Sequence, residues 1–167
     1  MTACSELEDK DHYKNISTDI QSDELLVVNE TSQQYLQSAA EYSKMSAFFT
    51  DEGIYDELNA KEQLSTLLVV ENDDYVTPEG TDDEIRTIAR AHVSDVSMSP
   101  ANLKTDDNSM RIMMWHGKYI NVDLDDAAMN EGKIAGHIMM GTSAVKMVVK
   151  TNSGYIYVIS NMISTPQ

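Results

Sequence analysis

Residues 144–163, AVKMVVKTNSGYIYVISNMI, decide how the chain is read. Two apolar runs rich in Val, Ile and Tyr flank Asn152, Ser153 and Gly154, residue types that favour tight reversals. The stretch therefore predicts two β-strands joined by a short turn. Upstream, "SMRIMMWHGKYINVDL" (109–124) has the same apolar alternation around Gly117, and "HVSDVSM" (92–98) reads as a further strand. The C-terminal part is β-rich.

Before it the period changes. Tyr35, Leu36, Ala39, Ala40, Tyr42, Met45, Phe48 and Phe49 recur at spacings of three and four, which predicts one helix capped by Thr31 or Ser32 and ended by Gly53. A short helix is expected at 55–58, a buried strand at 67–70, and a loop over "NDDYVTPEGTDDE" with Pro78 and Gly80 as breaks. Thr81 or Asp82 caps a helix at 83–91 that turns Ile85, Ile88 and Ala89 inward and gathers acid at the positive end of its dipole. Helices first and sheet later predict an α+β domain over 31–167. Residues 1–30 read as a flexible acidic tether, with the apolar patch 25–28 forming a short strand or the start of the first helix.

Charge is uneven. Lys and Arg number 2 against 8 Asp and Glu in 1–30, 5 against 16 in 31–110, and 5 against 4 in 111–167, for a net charge of −16. Carboxylates repel phosphate backbones, so ordinary nucleic-acid binding is not expected, and a solvated surface is the first account of the acid. Mimicry of a nucleic acid, by which a soluble acidic inhibitor would bind a basic protein, is the alternative.

The single cysteine, Cys4, cannot form an internal disulfide. Thr2, Ala3 and Cys4 resemble the end of a bacterial lipobox, in which small residues precede a cysteine that takes the lipid. Glu6, Glu8, Asp9 and Asp11 follow it as in the acidic export signal of surface lipoproteins in some Gram-negative bacteria. Cys4 is thus the expected lipidation site, and the expected location is the outer membrane, lipid-anchored and facing outward. A disordered acidic terminus or an exposed thiol is the plainer alternative.

Three phrases in order resemble the fasciclin-like domain. "QQYLQSAAEYSKMSAFFTDEGIYDEL" (33–58) is similar to that family's opening helix, "RAHVSDVSMSPANL" (90–103) to its central histidine box, and "TNSGYIYVISNMISTP" (151–166) to its closing strand. The match spans about 31–166. Departures are "LVVENDDY" in place of the family's "F-A-P-T-N-x-A-F", no glycine after the box histidine, and Tyr157 where a closing histidine usually falls. The resemblance implies a single domain used for adhesion or ligand contact, with no shared catalytic site. Its bacterial members include surface lipoproteins, which suggests an accessory subunit of an outer-membrane complex such as a glycan or peptide importer.

Other chemistry finds little support in the residues. His12, His92, His116 and His137 lack close metal spacing, and no nucleophile elbow, phosphate loop or second cysteine occurs, so neither catalysis nor a metal or other cofactor is expected. His92 and Tyr157 are expected to be structural. Asp123, Asp125 and Asp126 lack the glycine-containing loop of a calcium site and read as solvated acid. Seven of the eleven methionines lie in 110–147, and alternation sends Met113 and Met114 to opposite faces. Met with His is a haem ligand pair, but core packing is the first account here. Contact favours surfaces poor in charge and rich in aromatics or Met, so a protein partner, a transporter or another surface lipoprotein, is expected on the face of Met113, Met114, Trp115 and Tyr119, with the acidic face solvated.

Overall fold

A computed structural model of the 167-residue chain describes residues 25–100, 110–124 and 138–163. Within them the fold is mixed α+β, with helices mostly in the N-terminal half and an eight-stranded sheet. Cys4 and most of the tether, Asp125, Asp126, His12 and His137 lie outside the described residues.

The quoted hairpin is the middle of the sheet. Strand β7 (Ser143–Thr151) pairs antiparallel with β8 (Gly154–Ile159). On its other side β8 runs parallel to β2 (Ser65–Val69), whose five residues are all buried, and β2 pairs antiparallel with β3 (Val93–Ser94). The N-terminal half of β7 meets β6 (Ile138–Met140), which leads to β5 (Tyr119–Leu124) and β4 (Met110–Met113). The two ends of this order then approach each other, because Trp115 N–H donates to the Val93 carbonyl at 2.7 Å and Ser94 Oγ to the Met113 carbonyl at 2.7 Å. The sheet therefore curls back on itself, and its buried side chains join those of the helices in one continuous apolar core.

The C-terminal half of β7 is met in parallel by β1 (Leu25–Val27), the short strand that is one of the two readings expected for the apolar patch 25–28, so the sheet begins within residues 1–30. Strand β6 is a departure, a three-residue strand in "GHIMMG" that alternation does not reveal.

The expected first helix is bent into α1 (Ser32–Ser38), a 3₁₀ turn at Ala40–Tyr42 and α2 (Ser43–Asp51). Thr31 and Gln34 form a capping box at the start of α1. The bend has a tertiary cause. Asn72, from the loop after β2, donates to the Ala40 carbonyl and to Ser43 Oγ at 3.0 Å each, and its Oδ1 accepts from Lys44 N–H at 3.0 Å, satisfying a first-turn donor of α2 from a distance. Gly53, at φ 72°, reverses the chain into α3 (Ile54–Lys61). Thr81 and Glu84 form the second capping box, which opens α4 (Asp82–Arg90).

The β7–β8 turn is pinned to the start of α1. Ser32 Oγ hydrogen-bonds Thr151 Oγ1 at 2.8 Å, Ser32 N–H donates to Ser153 Oγ at 2.9 Å, and Asn152 N–H donates to the Glu30 carbonyl at 2.9 Å. Gly154 is required there: at φ 132° it faces Ser65 across the β2–β8 pair, and an added Cβ would fall on the Ser65 carbonyl. Gly154→Ala is expected to lower the unfolding free energy by about 3 kcal/mol or more in urea titration, from combined strain and overlap. A loss below about 1 kcal/mol would show that the strand pair yields easily.

Candidate functional site

His92 follows α4 directly and is fully buried. Its Nδ1 lies 2.7 Å from the Ile88 carbonyl, and its Nε2 accepts from Ile163 N–H at 3.0 Å. Since an amide can only donate, Nε2 must be bare and Nδ1 must carry the proton that the carbonyl accepts. The ring is thus neutral, in one tautomer, and ties the last turn of α4 to the segment after β8. Burial pushes its pKa down to about 4; the hydrogen bond to Ile88 opposes the fall, and nearby His116 adds to it.

Ile88 and Ile163, the two residues that His92 joins, also line a cleft of about 480 Å³. Val76, Pro78 and Met162 complete its apolar wall, and Thr77, Glu79 and Asn161 supply polar atoms. A second cleft of about 440 Å³ shares Thr77 and Pro78 and reaches Phe48, Tyr75 and Ile85, with Lys44, Asp51 and Glu52 among its lining residues. Val76, a lining residue of the first cleft, is 70% exposed. Its N–H points to Met162 Sδ at 3.3 Å, joining the loop to the C-terminal segment.

The face expected from the sequence is differently built. Met114 is 1% exposed, a core residue, and does not contribute to a surface. Trp115 is partly buried and committed internally: Nε1 donates to Asp95 at 2.7 Å, while the Lys61 and Arg90 cations lie 5.3 and 5.0 Å from its ring. Those cations are in turn paired, Lys61 with Asp95 at 3.4 Å and Arg90 with Glu57 at 2.7 Å. Met113 and Tyr119 form a cross-strand pair and remain exposed, at 40% and 57%, with the Arg111 guanidinium 5.0 Å over the tyrosine ring. Alternation correctly separates Met113 from Met114, but only one of the two reaches solvent.

Tyr157 is fully buried, and its hydroxyl donates to the Met98 carbonyl at 2.7 Å. Met98 N–H donates to Thr66 Oγ1 at 2.9 Å, so the tyrosine fastens the segment after β3 against β2 and β8. Burial, then nearby Tyr155, raises its pKa well above the ordinary phenol value. Among the described residues no group of three or more His, Cys, Asp or Glu could hold a metal ion, and no helix is long and apolar enough to cross a membrane.

The groove was missed from sequence because its walls come from three separate segments. The available signal was Val76-Thr77-Pro78, an uncharged interruption within an otherwise acidic loop. Compared with known proteins, the chain matches no family model and no curated protein.

His92 gives a signed pH dependence. The unfolded chain binds its proton near the free value of about 6.5 and the folded chain near 4, so this contribution is complete above about 6.5 and is lost as pH falls toward about 4. Between about pH 7 and about pH 5 the loss is on the order of 2 kcal/mol. Urea midpoints of the native chain and His92→Asn at the two pH values check this: the native chain should lose about that much more stability than the variant. Equal losses would contradict a buried neutral imidazole.

Proposed function

We propose that this chain is a non-enzymatic binding domain, fasciclin-like in architecture, carried at the outer-membrane surface on a lipid at Cys4. There it acts as an accessory or adhesion subunit of an envelope complex such as a glycan or peptide importer. One observation supports binding over catalysis most strongly. Two strongly perturbed ionisable groups, His92 and Tyr157, are spent on internal hydrogen bonds, whereas the broad open groove beside Val76 is walled mainly by apolar side chains. A surface of this kind loses little on desolvation and suits protein contact. It replaces the Trp115 face as the first candidate for a partner, because Trp115 and its two cations already satisfy one another.

A soluble acidic inhibitor of a basic protein is the second reading, favoured by the excess of acid in 31–110. Membrane attachment separates the two. Expression of the full gene in its own host should yield Cys4 as a diacylated or triacylated N-terminus in mass spectrometry. Cys4→Ala should release the protein from membranes while its Tm holds within about a degree. A reading frame that starts at Met1 with no export signal upstream would contradict the anchored reading. Co-purification from detergent extracts followed by cross-linking tests the accessory role: a stable envelope partner is expected, and monomeric behaviour without one would contradict it.

A further inference from the structure

The two clefts share Thr77 and Pro78 as lining, so the groove consists of two neighbouring open apolar pockets rather than an enclosed chamber. Ile88, Met162 and Ile163 wall the first pocket, and Phe48, Tyr75 and Ile85 the second. Its charged residues are mainly acidic: Glu79 belongs to the first pocket, Asp51 and Glu52 to the second, against Lys44 alone. Asp82, Asp83 and Glu84 follow at the exposed start of α4. Carboxylates beside apolar pockets select among occupants by charge. An anionic lipid surface or a nucleic acid would be repelled. A second copy of this chain would bring the same net charge of −16 and the same acidic rim, so self-association is opposed.

We propose that this groove holds a segment of a partner protein that places two apolar side chains in the pockets and Lys or Arg against Glu79, Asp51 and Glu52. The inference rests on the reading of the chain as a binding domain and adds the chemistry of what it binds. Apolar anchors supply affinity in such a contact, and rim charges supply orientation and rate of encounter. The shared wall at Thr77 and Pro78 sets the separation of the two anchors. His92 keeps Ile88 and Ile163 in place beneath the first pocket.

The test pans a phage-displayed library of random peptides on the folded full chain, then measures the enriched sequences as labelled synthetic peptides by fluorescence anisotropy. Enrichment of paired apolar residues flanked by Lys or Arg is expected. Val76→Asp, a change at an exposed position, should weaken binding by about tenfold or more. The triple variant Asp51→Asn, Glu52→Gln, Glu79→Gln should weaken it less and flatten its salt dependence. Circular dichroism confirms that both variants are folded. Enriched peptides that are acidic or uncharged, or that bind Val76→Asp as well as the native chain, would overturn the groove's assignment and leave the binding reading standing. A library that yields no binder would overturn the assignment too, and the co-purification result then decides whether the wider reading survives.

Discussion

His92 joins parts of the chain that are far apart in sequence, through its imidazole and through its backbone. Its Nδ1–H holds the Ile88 carbonyl at the end of α4, its Nε2 holds the amide of Ile163 beyond β8, and its backbone carbonyl accepts from Leu68 of β2 at 2.8 Å. A buried polar ring left unpaired costs on the order of 1–3 kcal/mol, so the folded chain depends on all of these partners being present together. The constraint also chooses a protonation state. A proton on Nε2 would face the Ile163 amide donor to donor, and the attachment of the C-terminal segment would fail.

That constraint explains why a groove can exist at this place. Open apolar pockets tend to collapse unless their walls are fixed from behind. Ile88 and Ile163 are fixed by the histidine, and the loop in front is held by Val76 to Met162 and by Asn72 to the bend before α2. Lys146 adds a further tie to that loop, through Glu71 at 2.9 Å and Asp74 at 2.6 Å. Hydrogen bonds to Asp74 and Glu71 raise the pKa of this lysine, but Lys146 is exposed and both carboxylates are partly exposed, so the tie orients the loop more than it stabilises the fold.

Local patterns in the sequence carried much of the fold. The β7–β8 hairpin, helix starts near Thr31 and Thr81, the buried run of β2 and the order of helices before sheet follow from short-range periodicity and turn chemistry, while the choice of Thr31 over Ser32 and of Thr81 over Asp82 as caps stays open in the sequence. What stayed hidden depends on distant partners. The bend at Ala40–Tyr42 needs Asn72, the parallel pairing of β2 with β8 spans most of the domain, and β6 is too short to show a period. The site was less legible still. Alternation separated Met113 from Met114, but nothing in "RIMMWHG" showed which would reach solvent, or that Lys61, Arg90 and Asp95 would surround Trp115. The groove draws on residues 44–52, 75–88 and 161–163, and no window of the sequence contains all three.

The sharpest check on this account is the tautomer of His92 itself. Long-range proton–nitrogen correlation spectra of the folded, nitrogen-labelled chain near neutral pH should show one imidazole with Nδ1 protonated and Nε2 bare, unchanged on acidification to about pH 5, well above its depressed pKa. An Nε2-protonated ring, a tautomer mixture or an imidazolium at that pH would contradict the tie between α4 and the C-terminal segment, and with it the fixed floor of the groove.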